Sequence, residues 1–156
     1  MFTKTPFSDW ELKDELQAGL VSIGWEFSTQ VQKETVPLAL SGKDVIGQAR
    51  TGSGKTAAFG LPTMNACQPT GELQALILTP TRELANQVAE ELLTIQGETG
   101  LNIQTVYGGT DLEKQARSLK AGVDIIVGTP GRVMDMTERG HIDLEKPSFF
   151  VLEDRK

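Results

Sequence analysis

A glycine-rich loop between a short apolar run and an alanine-rich segment restricts the fold of this chain more than any other feature. Its residues are Ala49, Arg50, Thr51, Gly52, Ser53, Gly54, Lys55 and Thr56. Glycines let the backbone wrap closely around an anion, and a helix start directs N–H groups and partial positive charge at it. Lys55 can then reach the β- and γ-phosphates of a nucleotide, and the Thr56 hydroxyl can ligate Mg²⁺. The loop predicts a nucleotide site; the alternative is a glycine turn before a helix with a solvated lysine.

The rest of the chain alternates short apolar runs with segments of helical periodicity. The runs are Val45–Ile46, Ala75–Leu78, Ile103–Tyr107, Asp124–Val127 and Phe149–Leu152. Most are rich in β-branched residues and lack polar alternation, as strands buried on both faces do. Helices are expected from near Thr81, after Asp111 and from Thr129-Pro130. The pattern predicts an α/β fold, a parallel sheet with helices on both faces and ligands at the carboxyl ends of the strands.

Two helices are expected before the loop. Ser8 followed by Glu11 fits a capping box and opens a helix that Gly24 ends. Thr29 followed by Gln32 is a second capping box, whose helix runs toward Leu40. Pro37 lies within that helix and is expected to end it, kink it or mark a short first turn.

Composition narrows the class of protein further. Fifteen Lys and Arg against 21 Asp and Glu give a net charge of −6, so nucleic-acid binding must come from local groups and not from a basic surface. One cysteine, Cys67, and one histidine, His141, argue against a disulfide and against a metal site built from these residue types. We expect a cytoplasmic protein, because the N-terminus lacks a signal-peptide core and no apolar run reaches membrane-spanning length.

Five short motifs follow one another in a fixed order. They are Gly24–Gln32 with Phe7 ahead of it, the loop 49–56, Pro80–Ala85, Gly108-Gly109 and Thr129–Arg132. In this order they resemble the Q motif and motifs I, Ia, GG and Ib of the N-terminal RecA-like domain of DEAD-box ATP-dependent RNA helicases. The resemblance covers essentially the whole chain. It implies one partial RecA-like P-loop domain over 1–156, with a Q-motif region at 1–43 and the α/β core at 44–156, that binds ATP, Mg²⁺ and RNA.

The resemblance assigns the nucleotide base to three side chains. Gln32 carries an acceptor and two donors, so it can pair with N6 and N7 of adenine and favour ATP over GTP. Trp25 occupies the aromatic position that stacks on adenine, which contributes on the order of 1–3 kcal/mol per base. Phe7 stands at the upstream aromatic position. The alternatives are that Gln32 only completes its capping box, that Trp25 is core and that Phe7 is a hydrophobic staple; both roles of Gln32 can hold together.

Motifs Ia, GG and Ib imply contacts with the RNA backbone that do not read sequence. The candidate residues are Pro80, Thr81, Arg82, Gly108, Gly109, Thr129, Pro130, Gly131 and Arg132. Arg82 and Arg132 offer guanidinium forks to phosphates, and the others offer N–H groups and hydroxyls. The alternative is structural, with the two threonines as helix N-caps and the two arginines as solvated first-turn residues.

The C-terminus departs from the family pattern. After Phe149–Leu152 the family has Asp-Glu-Ala-Asp, whereas this chain reads Glu153-Asp154-Arg155-Lys156. In one alignment Glu153 replaces the magnesium-binding Asp and Asp154 the Glu that activates water; in the other, Glu153 is the activating Glu and Asp154 the last Asp. Either way the full carboxylate set for metal positioning and water activation is incomplete.

Three functional readings remain open. Motif III and the second RecA-like domain of the family are absent from these 156 residues. An edge of the sheet is therefore expected to lie unpaired, or the last strand to shift, or a second copy to fill the gap, and the chain is expected to be marginally stable or to associate. The first reading is the ATP- and RNA-binding part of a helicase that couples ATP hydrolysis to duplex unwinding. The second is a nucleotide-binding module without its own ATPase or helicase activity. The third, a P-loop protein unrelated to RNA such as a nucleotide kinase, leaves the other motifs unexplained.

Overall fold

The computed structural model describes residues 2–42 and 54–153. The predicted strand Val45–Ile46, the loop residues Arg50, Thr51, Gly52 and Ser53, and Asp154 lie outside the described residues. The described chain divides into two compact units, one holding residues 2–42, 54–66 and 91–100, the other residues 67–90 and 101–153.

The first unit combines a small antiparallel sheet with helices. Strand β1 (Phe2–Pro6) pairs with β2 (Phe27–Thr29) so that Phe2 lies opposite Thr29 and Pro6 opposite Phe27, with an irregularity between. Helix α1 (Asp14–Ser22) lies between the two strands in the chain, α2 (Gln30–Leu40) and α3 (Lys55–Ala66) come after β2, and α2 packs against α3. The largest buried side chains here include Leu16, Leu20, Leu61, Met64 and Leu92.

The expected capping box at Ser8 is wrong. Ser8 lies in a 3₁₀ turn, Phe7–Asp9, and α1 begins only at Asp14, after Lys13 without a side-chain cap. The physical reason is Phe7, whose ring is buried and whose carbonyl accepts the N–H of Trp10 at 3.1 Å, closing the turn before a longer helix can start. The capping box of Thr29 and Gln32 is confirmed, and α2 runs through Pro37 to Leu40.

The second unit is a parallel sheet in the order β4-β5-β3-β6, with β3 (Ala75–Leu78), β4 (Ile103–Val106), β5 (Ile125–Gly128) and β6 (Phe149–Leu152). Helices α5 (Leu112–Ala121) and α6 (Pro130–Glu138) belong to it, and α4 (Arg82–Ile95) contributes residues 82–90. The predicted α/β fold with a parallel sheet is confirmed, with strand and helix ends within a few residues of those expected.

Burial on both sides of the two central strands, β3 and β5, explains why they read as continuous apolar runs. The same expectation for Phe149–Leu152 is wrong, because β6 is an outer strand in which half-buried and exposed residues alternate. Leu76, Val106 and Ile126 lie in one core cluster with residues of α5 and α6. The alternate residues Ile77 and Val127 have no exposed surface either, so their opposite face is covered too.

The pairing register of the four strands in the second unit aligns their carboxyl ends. Leu78 pairs with both Gly128 and Leu152, and Val106 pairs with Gly128. The segments that follow these four strands therefore leave the sheet along one edge. They begin at Thr79, Tyr107, Thr129 and Glu153, and the first three contain the predicted RNA-contacting residues.

At the amino-terminal ends of the strands, one buried carboxylate holds together the segments that precede β3, β4 and β5. Asp124 Oδ1 accepts the N–H groups of Thr70 at 3.1 Å and Gly71 at 2.8 Å, and Oδ2 accepts the N–H of Asn102 at 2.7 Å. Gln74 Nε2 also donates to Oδ1, at 3.2 Å. Backbone N–H donors compensate the charge of this buried side chain.

No helix in the described part of the chain is both long and apolar enough to cross a bilayer.

Candidate functional site

Gln32 is buried, with 1% of its surface exposed, at the third position of α2. Its Oε1 accepts the N–H of Thr29 at 2.9 Å, while its own N–H donates to Thr29 Oγ1 at 3.4 Å. Its Nε2 donates to the carbonyl oxygen of Gly54 at 3.1 Å. A glutamine amide offers two N–H donors and two lone pairs, so one of each is left for a ligand. Capping by Gln32 is confirmed and is compatible with base binding.

Gly54 joins α2 to the start of α3. Its φ of +85° belongs to the left-handed region, and an added Cβ would overlap Gln32 Nε2 and come within 2.9 Å of Thr29 Oγ1. The Gly54 carbonyl also accepts the N–H of Ala58 at 3.1 Å, in the first turn of α3. Lys55 and Thr56 are the first two residues of that helix, and both are half-buried. The end of the glycine-rich loop and the glutamine predicted to bind the base are therefore in direct contact.

A cavity of about 460 Å³ opens beside this contact, within the size range of small-molecule sites. Its lining residues are Phe2, Phe7, Gly24, Trp25, Glu26, Phe27, Thr29, Gln32 and Gly54. The lining is mostly apolar and aromatic, with the Gln32 amide among its few polar groups. Such a cavity suits a flat heterocycle with a hydrogen-bonding edge.

Phe7 and Trp25 form one stacked unit. Their ring centroids are 6.1 Å apart with 24° between the planes, and Trp10 meets Phe7 edge to face at 5.5 Å. The N–H of Phe7 donates to the carbonyl of Glu26 at 3.0 Å. Phe7 is buried, whereas Trp25 keeps 37% of its surface exposed. Phe7 therefore supports Trp25, which presents the larger aromatic surface to the cavity.

Sequence reasoning missed Phe2 and Phe27, which line the same cavity. Both are exposed aromatic residues, carried there by the pairing of β1 with β2. The alternation Phe2-Thr3-Lys4-Thr5 is a weak strand signal that could have indicated β1.

The predicted RNA-contacting residues lie in the segments after β3, β4 and β5, along one edge of the sheet. Most of them are exposed: Pro80, Arg82, Gly108, Gly109, Pro130 and Gly131. Thr81, Thr129 and Arg132 are half-buried. Their residue types and exposure suit a surface that contacts the sugar-phosphate backbone of RNA.

Two of these motifs touch. The guanidinium carbon of Arg82 lies 4.8 Å from the ring centroid of Tyr107, a cation–π contact. Gly109 has a φ of +85°, and an added Cβ would lie 3.2 Å from Arg82 Nη1. Motif Ia and the GG motif are thereby held side by side.

Motif Ib reaches the same loop through Arg132. Its Nη1 donates to the carbonyl of Thr110 at 3.3 Å and to Gln115 Oε1 at 2.9 Å, and its Nη2 donates to Thr110 at 3.3 Å. Thr81 Oγ1 accepts the N–H of Leu84 at 3.2 Å, as a helix cap does, whereas Thr129 caps α6 without a side-chain hydrogen bond. Roles in RNA contact for these residues stay predictions.

Glu153 directly follows β6. Its N–H donates to the carbonyl of Leu78 at 2.8 Å, which extends the parallel pairing by one residue, and its side chain is half-buried. Across residues 2–42 and 54–153, no three His, Cys, Asp or Glu side chains cluster in a way that could hold a metal ion. The catalytic and metal-binding roles of Lys55, Thr56, Glu153 and Asp154 stay predictions.

Known proteins resemble this chain in sequence. A family model for the DEAD/DEAH box helicase matches residues 29–154. The RNA helicase CrhR of Synechocystis sp. is 51% identical over 148 residues, which are 95% of this chain and 30% of that protein. The DEAD-box ATP-dependent RNA helicase CshA of Bacillus subtilis is 44% identical over 149 residues, again 95% of this chain and 30% of that protein. The chain thus spans about a third of the length of these relatives.

Solved structures agree with the fold. A DEAD box protein from Methanococcus jannaschii superposes with a TM-score of 0.90 at 38% identity, over 97% of this chain and 42% of that one. A hypothetical ATP-dependent RNA helicase from Sulfolobus tokodaii gives a TM-score of 0.82 at 35% identity, over 90% of this chain and 41% of that one.

Proposed function

The chain belongs to the DEAD/DEAH box helicase family, and from that premise we propose that it is the ATP- and RNA-binding part of an ATP-dependent RNA helicase. In the longer protein, ATP hydrolysis would be coupled to local opening of RNA duplexes. The observation that carries the proposal is the contact of Gln32 with Gly54 beside an aromatic cavity. This contact joins the residue proposed to bind the base to the end of the loop proposed to bind the phosphates.

Adenine is the proposed base. The lone pair left on Gln32 Oε1 accepts the N6 amino group, and the hydrogen left on Nε2 donates to N7. Guanine offers a carbonyl oxygen in place of the amino group, so it faces Oε1 with like polarity. Trp25 supplies the stacking surface. The cavity and the free hydrogen-bonding capacity of Gln32 support this assignment.

The phosphates are assigned to the start of α3. Lys55 balances charge on the β- and γ-phosphates, and Thr56 holds Mg²⁺ through its hydroxyl, an oxygen donor of the kind that this ion prefers. When bound, Mg²⁺ would help to neutralise the negative charge of those phosphates. Arg50, Thr51, Gly52 and Ser53 complete the proposed phosphate-binding loop. Glu153 is proposed to take part in magnesium binding and catalysis through its carboxylate.

RNA is the proposed polymer partner. Arg82 and Arg132 provide positive charge, and Gly108, Gly109 and Gly131 provide exposed backbone along one edge of the sheet. Such groups read phosphate and sugar, not base sequence. A second RecA-like domain, as in the longer relatives, would supply the rest of the RNA cleft.

A second candidate function is nucleotide binding without turnover by these 156 residues. It is favoured by the sequence after β6, which reads Glu153-Asp154-Arg155-Lys156 in place of the family's Asp-Glu-Ala-Asp. Phosphate release with and without RNA, and with Lys55→Ala as the control, separates the two functions. RNA-stimulated release that Lys55→Ala abolishes supports the hydrolytic function.

Self-association is a further proposed interaction. Among the described strands β6 forms one edge of its sheet, and Phe150 and Leu152 are 56% and 78% exposed. Exposed apolar edges pair readily with other strands. Light scattering during gel filtration should detect a dimer that Leu152→Lys weakens, and a monomer at all concentrations would contradict it.

Calorimetric titration with Mg·ATP, Mg·GTP and ADP tests the nucleotide assignment. Wild type should bind ATP and ADP, and Gln32→Ala should bind ATP about tenfold more weakly while leaving the weak binding of GTP unchanged. Equal affinity for ATP and GTP in wild type would contradict adenine selection. Gln30→Ala, on the exposed side of α2, is the matched control.

A further inference from the structure

Gln115 links three points of the second unit through its side-chain amide. It lies near the start of α5 and is half-buried. Its Nε2 donates to the carbonyl of Tyr107 at 3.2 Å and also to Thr110 Oγ1. Its Oε1 accepts Arg132 Nη1 at 2.9 Å. Both N–H groups and one lone pair of the amide are therefore committed.

Those contacts enclose one loop. We call Tyr107–Thr110 the GG loop, since it contains Gly108 and Gly109. Gln115 bonds both ends of this loop, and Thr110 Oγ1 also donates to the Tyr107 carbonyl at 3.0 Å. The two glycines between these ends are exposed, and an added Cβ at Gly108 would meet nothing within 4 Å. The loop is held from behind and open in front.

Arg132 is held by the same amide. Its guanidinium bonds Gln115 and the Thr110 carbonyl through Nη1 and Nη2. An arginine carries five N–H donors, so these contacts leave Nε and one hydrogen of Nη2 for a phosphate. A guanidinium fixed on one side presents the other in a defined direction.

We propose that Gln115 is a positioning residue for RNA binding, which holds the GG loop and Arg132 in the arrangement that meets the phosphates. This inference rests on the proposed function. Gln115 itself touches no phosphate; it acts through the loop backbone and the guanidinium. Loss of its amide removes the hydrogen bond to Arg132, which keeps its bonds to Thr110. It also removes the two bonds that join the ends of the GG loop, at Tyr107 and Thr110.

Gln104 offers a matched control within the same unit. It is also half-buried, and its Nε2 donates to the carbonyls of Gly122 at 3.0 Å and Ser118 at 3.3 Å. It lies near the amino-terminal end of β4, away from the GG loop that follows the carboxyl end. Methionine has nearly the shape of glutamine without its hydrogen bonds. Gln115→Met therefore removes hydrogen bonds beyond the carboxyl end of β4, and Gln104→Met removes comparable ones near its amino-terminal end.

The experiment measures three quantities for wild type and both variants. They are the dissociation constant for a fluorescein-labelled single-stranded oligouridine, the dissociation constant for Mg·ATP and the thermal midpoint. Gln115→Met should bind RNA about tenfold more weakly, while Gln104→Met stays within about twofold of wild type. Both variants should keep the ATP affinity of wild type.

A double-mutant cycle with Arg132→Lys tests how Gln115 acts. Because Gln115 is proposed to work partly through Arg132, the effects of Gln115→Met and Arg132→Lys on RNA affinity should be less than additive. Full additivity, or equal losses of RNA affinity in Gln115→Met and Gln104→Met, would overturn the inference while leaving the proposed function intact. Wild type that fails to bind RNA would overturn both.

Discussion

The side-chain amide of Gln32 donates a hydrogen bond to the carbonyl oxygen of Gly54, 3.1 Å away across 22 positions of sequence. The same amide closes the capping box of α2 with Thr29. A residue proposed to read the nucleotide base is thus fastened to the end of the phosphate loop. Any change in one partner should therefore alter both base selectivity and the start of α3.

Gly54→Ala should abolish or strongly weaken nucleotide binding. The added methyl group would overlap Gln32 Nε2, and φ at this position is +85°. Gly42→Ala separates steric overlap from backbone strain. The φ of Gly42 is +87°, so the strain is similar, but an added Cβ there meets nothing within 4 Å. Calorimetric titration with Mg·ATP should show a much larger loss for Gly54→Ala than for Gly42→Ala. Equal losses would mean that backbone strain alone accounts for the effect.

Gln32→Glu should lower ATP affinity at least about tenfold and destabilise the chain by roughly 1–3 kcal/mol. A carboxylate keeps the acceptor for the N–H of Thr29 but turns an oxygen toward the Gly54 carbonyl, where the amide donates at present. Gln30→Glu adds the same charge on the exposed side of α2. Urea unfolding and ATP titration of both variants check this, and a Gln32→Glu chain with wild-type ATP affinity would contradict it.

Asp124→Asn should reduce the free energy of unfolding by at least about 2 kcal/mol, because one carboxylate oxygen is replaced by an NH₂ group facing N–H donors. The donors are the backbones of Thr70, Gly71 and Asn102 and the amide of Gln74. The Asp143 carboxylate accepts an exposed hydrogen bond from the N–H of Glu145, so Asp143→Asn should change stability by less than about 0.5 kcal/mol. Denaturant unfolding of the two variants measures the difference, and similar values would contradict the anchoring role.

Gly128→Ala should destabilise the chain by about 1–3 kcal/mol through overpacking. An added Cβ at Gly128 would lie 2.7 Å from the Val106 carbonyl oxygen and 2.6 Å from Val133 Cγ2. Gly131, three residues further on, has open space around it and lies in α6, so Gly131→Ala should be neutral or slightly stabilising. Thermal unfolding distinguishes the two, and a stable Gly128→Ala chain would show that α6 can move away from β5.

The parallel sheet was predictable because its signal is local. Ala75–Leu78 and Phe149–Leu152 match the observed strands. Burial on both faces demands the unbroken apolar run of β3, whereas β6 carries such a run although Phe150 and Leu152 are exposed. Strand β1 carries no such run; it exists because it pairs with β2, more than twenty residues away. The Ser8 pattern failed for a similar reason, as burial of Phe7 decides the local backbone.

The candidate site divides in the same way. The capping box of Thr29 and Gln32 spans three residues and follows from sequence alone. The bond from Gln32 to Gly54 depends on how α2 meets α3, which no local pattern encodes. Gln115 is a similar case, because one of its partners, Arg132, stands 17 positions further along the chain.

Fluorescence of Trp25 tests most directly whether a purine occupies the aromatic cavity. The chain has two tryptophans, so Trp10→Phe leaves Trp25 as the reporter, and Trp25 lines the same cavity as Gln32. Saturable quenching by Mg·ATP, weaker with Mg·GTP and reduced when Gln32→Ala is added, is the predicted result. Unchanged emission at ATP concentrations that calorimetry shows to be saturating would place the base elsewhere and contradict the assignment.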